Sequence, residues 1–314
     1  MKPSIQGSLF ALLTCSFWGT LPIALKQASQ QLDALTIVWL RFSVAALWLW
    51  LWLPRPRRER MALDWSEGRL ILLLALASLC LGGNFALYNI SLYYLSAPAA
   101  QIVSQSGPLL LLAGGILVLR EPFYRIQAAG GAILITGMML FFNDRLHELF
   151  DLREGCGAGI ALGLLAAFIW AAYGIAQKLL LRELSSAAAL RVIYTCIALG
   201  LAPAASPLRI LDIDVPQALC LAFCCLNTIV AYGSFGKSLS LWHTAGVGAV
   251  ISLTPLFTVA GSMAAHALLP GVFPEADLNT LSLLGAFVVV SGALLMAAGP
   301  HILAKAKAPP QQGG

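Results

Sequence analysis

Apolar residues fill ten stretches of this chain, at about 7–27, 35–53, 69–90, 97–119, 126–143, 157–178, 186–204, 216–236, 244–268 and 281–299, with short polar connections between them. A helix that crosses the hydrocarbon core of a bilayer needs about 20 mostly apolar residues, and each stretch comes within a few residues of that length. The pattern predicts an all-α polytopic membrane protein with ten transmembrane helices. The first stretch follows a lone Lys2, as a secretory leader would, but it runs on to about Leu25 without a small-x-small cleavage site. It therefore reads as an uncleaved first span.

The polar positions that interrupt these stretches are not random. At an offset of 152, Trp18, Ile23, Ala24 and Lys26 return as Trp170, Ile175, Ala176 and Lys178. At an offset of 147, Ser91-Leu92 and Pro108-Leu109 return as Ser238-Leu239 and Pro255-Leu256, and at 155 Gly130 and Gly137 return as Gly285 and Gly292. The ordered series of similar offsets divides the chain into a first repeat over 1–143, a linker over 144–156, a second repeat over 157–300 and a polar tail over 301–314 that is expected to be disordered. Five spans per repeat is an odd number, so the second repeat enters the membrane from the opposite side. Two inverted five-helix repeats are the architecture of many secondary transporters.

Charge then orients the chain. With the N-terminus cytoplasmic, thirteen basic residues fall at inner connections and only Lys26, Arg145, Arg153 and Arg209 at outer ones. The outer connections are acidic instead, for example at Asp144, Glu148, Asp151 and Glu154. That bias predicts a cytoplasmic N-terminus and C-terminus in a cell inner or plasma membrane. The composition, 59% hydrophobic and 11% charged, excludes an ordinary soluble domain. The net charge of +5 then reflects topology rather than nucleic-acid binding. The dense run Pro54 to Arg60 reads as a contact with anionic headgroups. Seven cysteines, nearly all inside apolar stretches, define no disulfide framework.

Three prolines interrupt apolar stretches. Pro22, Pro108 and Pro255 each lack an N–H, so the carbonyls of Trp18, Ser104 and Ile251 lose their helical partners. Such helix breaks are tolerated in a membrane where protein or a water-filled cavity covers them, and breaks at corresponding positions of two repeats point to a transport site. Polar side chains gather on single helix faces around them. Gln101, Gln105 and Pro108 share a face with Ser104 beside it, mirrored by Gly248, Ser252 and Pro255. Asn84, Tyr88 and Ser91 share another face, Trp170, Tyr173 and Gln177 a third, and Thr228, Tyr232 and Phe235 a fourth. The candidate cavity residues are therefore Trp18, Pro22, Arg41, Asn84, Tyr88, Gln101, Gln105, Trp170, Tyr173, Tyr232 and Ser252. Interhelical hydrogen bonding is the competing role for the same side chains.

Arg41 lies about 10 Å into its span, where it binds either a substrate carboxylate or a helix carbonyl. Arg191, nearer the inner end, is expected to reach the interface. Lys26 and Lys178 end their spans as anchors on opposite faces. Gly155, Gly159 and Gly163 form a close-packing seam. Tyr93, Tyr94, Trp48, Trp50 and Trp52 read as interfacial belt residues. No acid lies within any span, so no carboxylate proton relay is visible, and coupling is either facilitated diffusion or a proton route of another kind. The chain has no metal-ligand spacing, no cofactor motif and no enzyme motif. Its implied partners are a small-molecule substrate and the bilayer. Aromatic rings beside amides suit a substrate that is partly apolar and hydrogen-bonding, such as an amino acid.

These stretches resemble the drug/metabolite transporter superfamily, in particular its EamA-type permeases. The matching residues are "FWGTLP" in span 1, "RF" at Arg41-Phe42, "SGPLLLLAGGILVLREPF" across span 4, "AFIWAAY" in span 6, and "TIVAYGSFGKSLS" and "SLTPLFTVAGS" in spans 8 and 9. The resemblance implies ten spans, a central cavity between the halves and export of amino acids or other small metabolites. Uptake or exchange by a permease of the same superfamily, and a non-transporting scaffold or sensor, are the alternatives. The family pattern places a glutamate at the end of span 4, here Glu121. The equivalent end of span 9 carries Leu268, so Glu121 reads as an inner-face anchor rather than one of an acidic pair.

Overall fold

The structure is a computed structural model that describes residues 3–52, 68–91, 93–95, 97–144, 146, 156–269 and 279–307; the side chains of 97–99, 101 and 298–307 lie outside that description. The basic run Pro54 to Arg60 and most of the 144–156 linker fall outside it as well. Twelve α-helices follow one another among the described residues: α1 Pro3–Ala28, α2 Ala34–Trp52, α3 Gly68–Ser91, α4 Ala97–Ser104, α5 Ser106–Leu117, α6 Arg125–Phe141, α7 Cys156–Leu180, α8 Ser186–Leu201, α9 Val215–Leu241, α10 Thr244–Ile251, α11 Thr254–Leu268 and α12 Thr280–Lys307. Eight helical stretches, with α10 and α11 counted as one, are long and apolar enough to cross a membrane, and Ile102–Leu117 and Arg125–Phe141 are shorter apolar helices. Large apolar side chains such as Leu51, Leu72, Leu79, Phe168 and Phe287 stand exposed around the bundle. A surface of this kind is suited to lipid and not to water. The protein is an integral membrane protein.

Local chemistry sets where the helices begin and break. Asp33 caps α2, accepting from the Thr36 N–H at 2.9 Å and the Thr36 hydroxyl at 2.7 Å. Ser185 caps α8, and His243 Nδ1 accepts from the Gly246 N–H at the start of α10. Pro108 and Pro255 do divide their spans. Each sits in the first turn of the second piece, α5 or α11, where a missing N–H costs no helical bond. The Ile251 carbonyl, orphaned by Pro255, accepts from the Thr254 hydroxyl at 2.5 Å and lies 3.9 Å from Cys15 Sγ.

Pro22 behaves differently. It was expected to break its helix, yet α1 runs unbroken from Pro3 to Ala28. Neighbouring groups hold the turn from outside. Asn227 Nδ2 of α9 donates to the Phe17 carbonyl, and within α1 the Thr20 hydroxyl donates to the Ser16 carbonyl at 3.0 Å. Gly19 lets α11 approach so closely that a Cβ there would lie 2.8 Å from the Thr254 carbonyl oxygen. One lost hydrogen bond is not enough to open a helix clamped in this way. At the other end of the chain, α12 continues helical through Lys307, past the point where the disordered tail was expected to begin.

The helices pair across the middle of the chain. α1 lies along α9 and α3 along α7; α2 pairs with α8, and α6 with α12. α1 also touches α10 and α11, while α7 touches α4 and α5. Glycine makes these approaches close. A Cβ on Gly137 would meet Val289 N at 2.5 Å, and one on Gly292 would meet Leu134 N at 2.5 Å, so α6 and α12 touch backbone to backbone. Of the expected glycine seam, Gly159 and Gly163 pack closely against Tyr94–Leu95 and Val103, while Gly155 lies outside the described residues. Gly7, at the same offset of 152 from Gly159, packs on Leu241 and Trp242 in the same way.

Candidate functional site

A cavity of about 650 Å³ lies among α1, α2, α3, α7, α9 and the two divided spans. Its lining reaches Lys26, Ser29, Asn89 and Leu95, at the end of the bundle that carries the α1–α2 and α3–α4 connections. Its floor is aromatic. Trp18 meets Trp170 edge to face at 5.7 Å and Tyr232 at 5.1 Å, with Phe235 beneath both tryptophans at 5.4 and 5.5 Å. The two tryptophans that repeat at the offset of 152 therefore meet each other. Small residues make the space: Gly107, Gly163, Ala166 and Ala167 line one wall.

Most of the polar candidates reach this cavity. Asn84 lines it while its Nδ2 donates to the Ala166 carbonyl at 2.9 Å. Tyr88 and Pro22 lie along the walls, and Gln105 borders it at the α4–α5 break with Oε1 unpartnered among the described residues. Arg41 also borders the cavity, with only 1% of its surface exposed. Its Nε donates to the Thr228 hydroxyl at 2.9 Å, and its guanidinium carbon stands 4.9 Å from the centre of the Phe85 ring. Nη2 has no partner among the described residues. The charged side chains of the lining, Lys26 and Arg41, are both basic.

Two candidates do not reach the cavity, and one lies outside the description. Tyr173 is fully buried under the floor, 6.1 Å from Tyr232 and 6.3 Å from Phe235. It lies one turn past Trp170, and the aromatic layer shuts it off. Ser252 is buried, its hydroxyl donating to the Gly248 carbonyl at 3.0 Å across the end of α10, so it caps a helix rather than facing the space. The side chain of Gln101 is outside the described residues. Arg191 is likewise buried instead of reaching the interface, with its guanidinium 4.9 Å from the Trp50 ring. Phe85, Thr254 and Leu25 line the cavity without having been anticipated. The available signal was helical spacing, since Leu25 lies three residues after Pro22 and Phe85 three residues before Tyr88.

The opposite end of the bundle is shut by an ionic cluster. Arg120, with φ of 56°, turns the chain out of α5, and the Glu121 N–H returns to the Gly115 carbonyl at 3.0 Å. Glu121 then accepts from Lys178 Nζ at 2.6 Å, from the Thr244 N–H at 2.9 Å and from the Thr244 hydroxyl at 2.5 Å. Lys178 Nζ also donates to the Trp242 carbonyl at 2.9 Å. The ends of α5 and α7 and the α9–α10 connection are thereby tied together. Burial by itself would raise the Glu121 carboxyl, but hydrogen bonds from Lys178 and Thr244 outweigh it and hold the group below its ordinary value of 4.5. Glu121 thus ties this end of the bundle together, with Lys178 as its partner.

The model of the EamA-like transporter family matches residues 5–143 and 157–298. This chain belongs to that family. It is 39% identical over 94% of its length, and 92% of the relative, to an uncharacterized inner membrane transporter, YhbE, of Escherichia coli strain K12. It is 38% identical, over 95% of its length and 97% of the relative, to an uncharacterized transporter of Haemophilus influenzae. A more distant relative, 25% identical over 92% of the chain and 94% of the relative, is named "Probable amino-acid metabolite efflux pump" in Escherichia coli strain K12. A solved crystal structure superposes with a TM-score of 0.70 at 14% identity, covering 96% of this chain and 99% of the other, which speaks for the shared fold alone.

Proposed function

We propose that this chain is an inner-membrane secondary transporter that exports small amphiphilic metabolites such as amino acids, by alternating access between two inverted five-helix repeats. Ten crossings, with both termini cytoplasmic, complete the reading. The observation that carries it is the cavity closed by Trp18 and Trp170, residues one repeat apart that meet on its floor. Helix pairing supports the repeat, since α1 on α9 is matched by α7 on α3, and the family model matches in two stretches. In the proposed topology the cavity faces outward and the Glu121–Lys178 cluster seals the cytoplasmic end. Aromatic walls would hold an apolar body, Gln105 a hydrogen-bond donor, and Arg41 a carboxylate. The names of the inner-membrane relatives and of the more distant efflux pump agree with location and direction.

The test is flux of labelled amino acids and related metabolites in proteoliposomes. At least one amphiphilic, carboxylate-bearing compound should move. Trp18→Ala and Gln105→Ala should each slow it about tenfold, the factor carried by roughly 1.4 kcal/mol of lost binding. A broad panel in which nothing moves would sink the transport reading, and unchanged flux in both variants would sink the assigned cavity.

A further inference from the structure

Beneath the aromatic floor lies a set of buried polar atoms that the cavity does not explain. Among the described residues, Tyr173 Oη, both amide atoms of Gln177, Ser186 Oγ and Trp242 Nε1 have no hydrogen-bond partner. Tyr173 and Gln177 are completely buried. A polar atom buried without a partner costs free energy in the state that buries it. In a membrane protein such a group belongs beside water or a cavity.

The repeat supplies their counterparts. At the offset of 152, Tyr173 and Gln177 correspond to Leu21 and Leu25, and at 147 Trp242 corresponds to Leu95. All three counterparts line the open cavity. Gly236 corresponds in the same register to Asn89, another lining residue, and its missing Cβ leaves room for the Gln177 amide and the Ser186 hydroxyl. Gln177 adjoins Lys178, and Trp242 gives its carbonyl to Lys178, so the unpartnered atoms lie directly behind the Glu121 cluster.

From this register we infer that Tyr173, Gln177, Ser186 and Trp242 line the second half of the permeation path, collapsed here and opened when the two repeats exchange conformations. The inference rests on the alternating-access reading. In the exchanged state Tyr173, Gln177 and Trp242 occupy the role that Leu21, Leu25 and Leu95 play here, Ser186 joins them from its place beside Gln177 at Gly236, and water or substrate satisfies their polar atoms. Substrate leaves this inner chamber, crosses the Trp18–Trp170 layer and arrives in the outer cavity. Opening requires the Glu121–Lys178–Thr244 cluster to part.

The test uses single cysteines at Gln177 and Ser29 in a background without the native cysteines, treated with a membrane-impermeant maleimide from each side. In the parent, Ser29→Cys should react readily from the side of the cavity mouth, and Gln177→Cys slowly. Adding Glu121→Gln should speed Gln177→Cys labelling from the opposite side about tenfold and slow Ser29→Cys labelling reciprocally. A Gln177→Cys rate indifferent to Glu121→Gln would overturn the inference. So would rates that rise together at both sites, the mark of a loosened fold. Tyr173→Cys gives an independent reading where Gln177→Cys fails to assemble. Flux separates the two ideas. Transport without any change at Gln177 or Tyr173 sinks this inference alone, and reciprocal labelling without transport of any solute sinks the transport reading alone.

Discussion

Glu121 makes the clearest pH argument at the scale of single residues. Its carboxyl is held below its ordinary value, so the contacts it makes stabilise the fold fully above that value of 4.5. They are lost as pH falls through the lower, folded value. Hydrogen bonds to a charged group contribute about 1.5–3 kcal/mol. Thermal melts of the purified protein should therefore show an acid limb below about pH 4.5, and Glu121→Gln should flatten that limb while lowering the midpoint at neutral pH. An identical acid limb in the variant would contradict the assignment. Gly115 offers a steric check on the same cluster. A Cβ there would collide with the Thr244 hydroxyl and lie 3.1 Å from Glu121 Oε2. Gly115→Ala should destabilise the protein even though alanine favours an α-helix by about 1 kcal/mol.

Helix pairs show why glycine is placed where it is. In the α6–α12 seam a Cβ on Gly137 would lie 2.5 Å from Val289 N, a backbone atom that cannot move without its helix. Within α9, Gly233 has nothing within 4 Å of the same added atom. Gly137→Ala should lower the melting midpoint and weaken α6–α12 packing. Gly233→Ala should hold or raise the midpoint by up to about 1 kcal/mol of helix propensity. Equal midpoints for the two variants would mean that the seam carries no packing energy. The divided spans make the complementary point. α4–α5 and α10–α11 part at Gln105 and at Ser252–Leu253, the same 147 positions apart as Pro108 and Pro255, and both breaks border the central region.

Across the whole molecule the two ends are chemically unequal. One end is tied by Glu121, Lys178 and Thr244. At the other, Lys26 stands exposed at the mouth, and Leu268, 147 positions on from Glu121, is exposed as well. Under the proposed exchange of conformations, the Glu121–Lys178 pair, with Leu268 in the corresponding place opposite Lys26, biases the protein toward the state seen here. Leu268→Glu should supply the missing partner for Lys26 when the mouth closes. The expected outcome is slower maleimide labelling at Ser29→Cys and slower flux, both reversed by Lys26→Gln in the same chain. Faster labelling at the mouth would rule out this account of the bias.

Hydropathy made the membrane class legible, because a bilayer imposes a length of apolar chain that can be read in one dimension. The breaks at Pro108 and Pro255 were equally legible, since the loss of an N–H acts on a carbonyl four residues away. Helical spacing also brought out Trp18, Asn84, Gln105 and Trp170 as neighbours of one space. Depth was not legible. Trp170 and Tyr173 sit on adjacent turns of one helix, yet one forms the floor and the other lies sealed beneath it, because Phe235 and Tyr232 come from α9 to close the layer. Pro22 looked like a break, and contacts from α9 and α11 kept the helix whole. Arg191 looked free to reach water, and Trp50 of α2 covers it. Lys178 could be read as an anchor, but its partner was set only when the fold brought Glu121 to within 2.6 Å. Lipid is as apolar as the side chains it touches, so a helix in a bilayer carries little amphipathic signal about which face turns inward. Chain connectivity and local chemistry wrote the segments and their breaks; the packing of one half against the other chose which side chains meet, and at what depth.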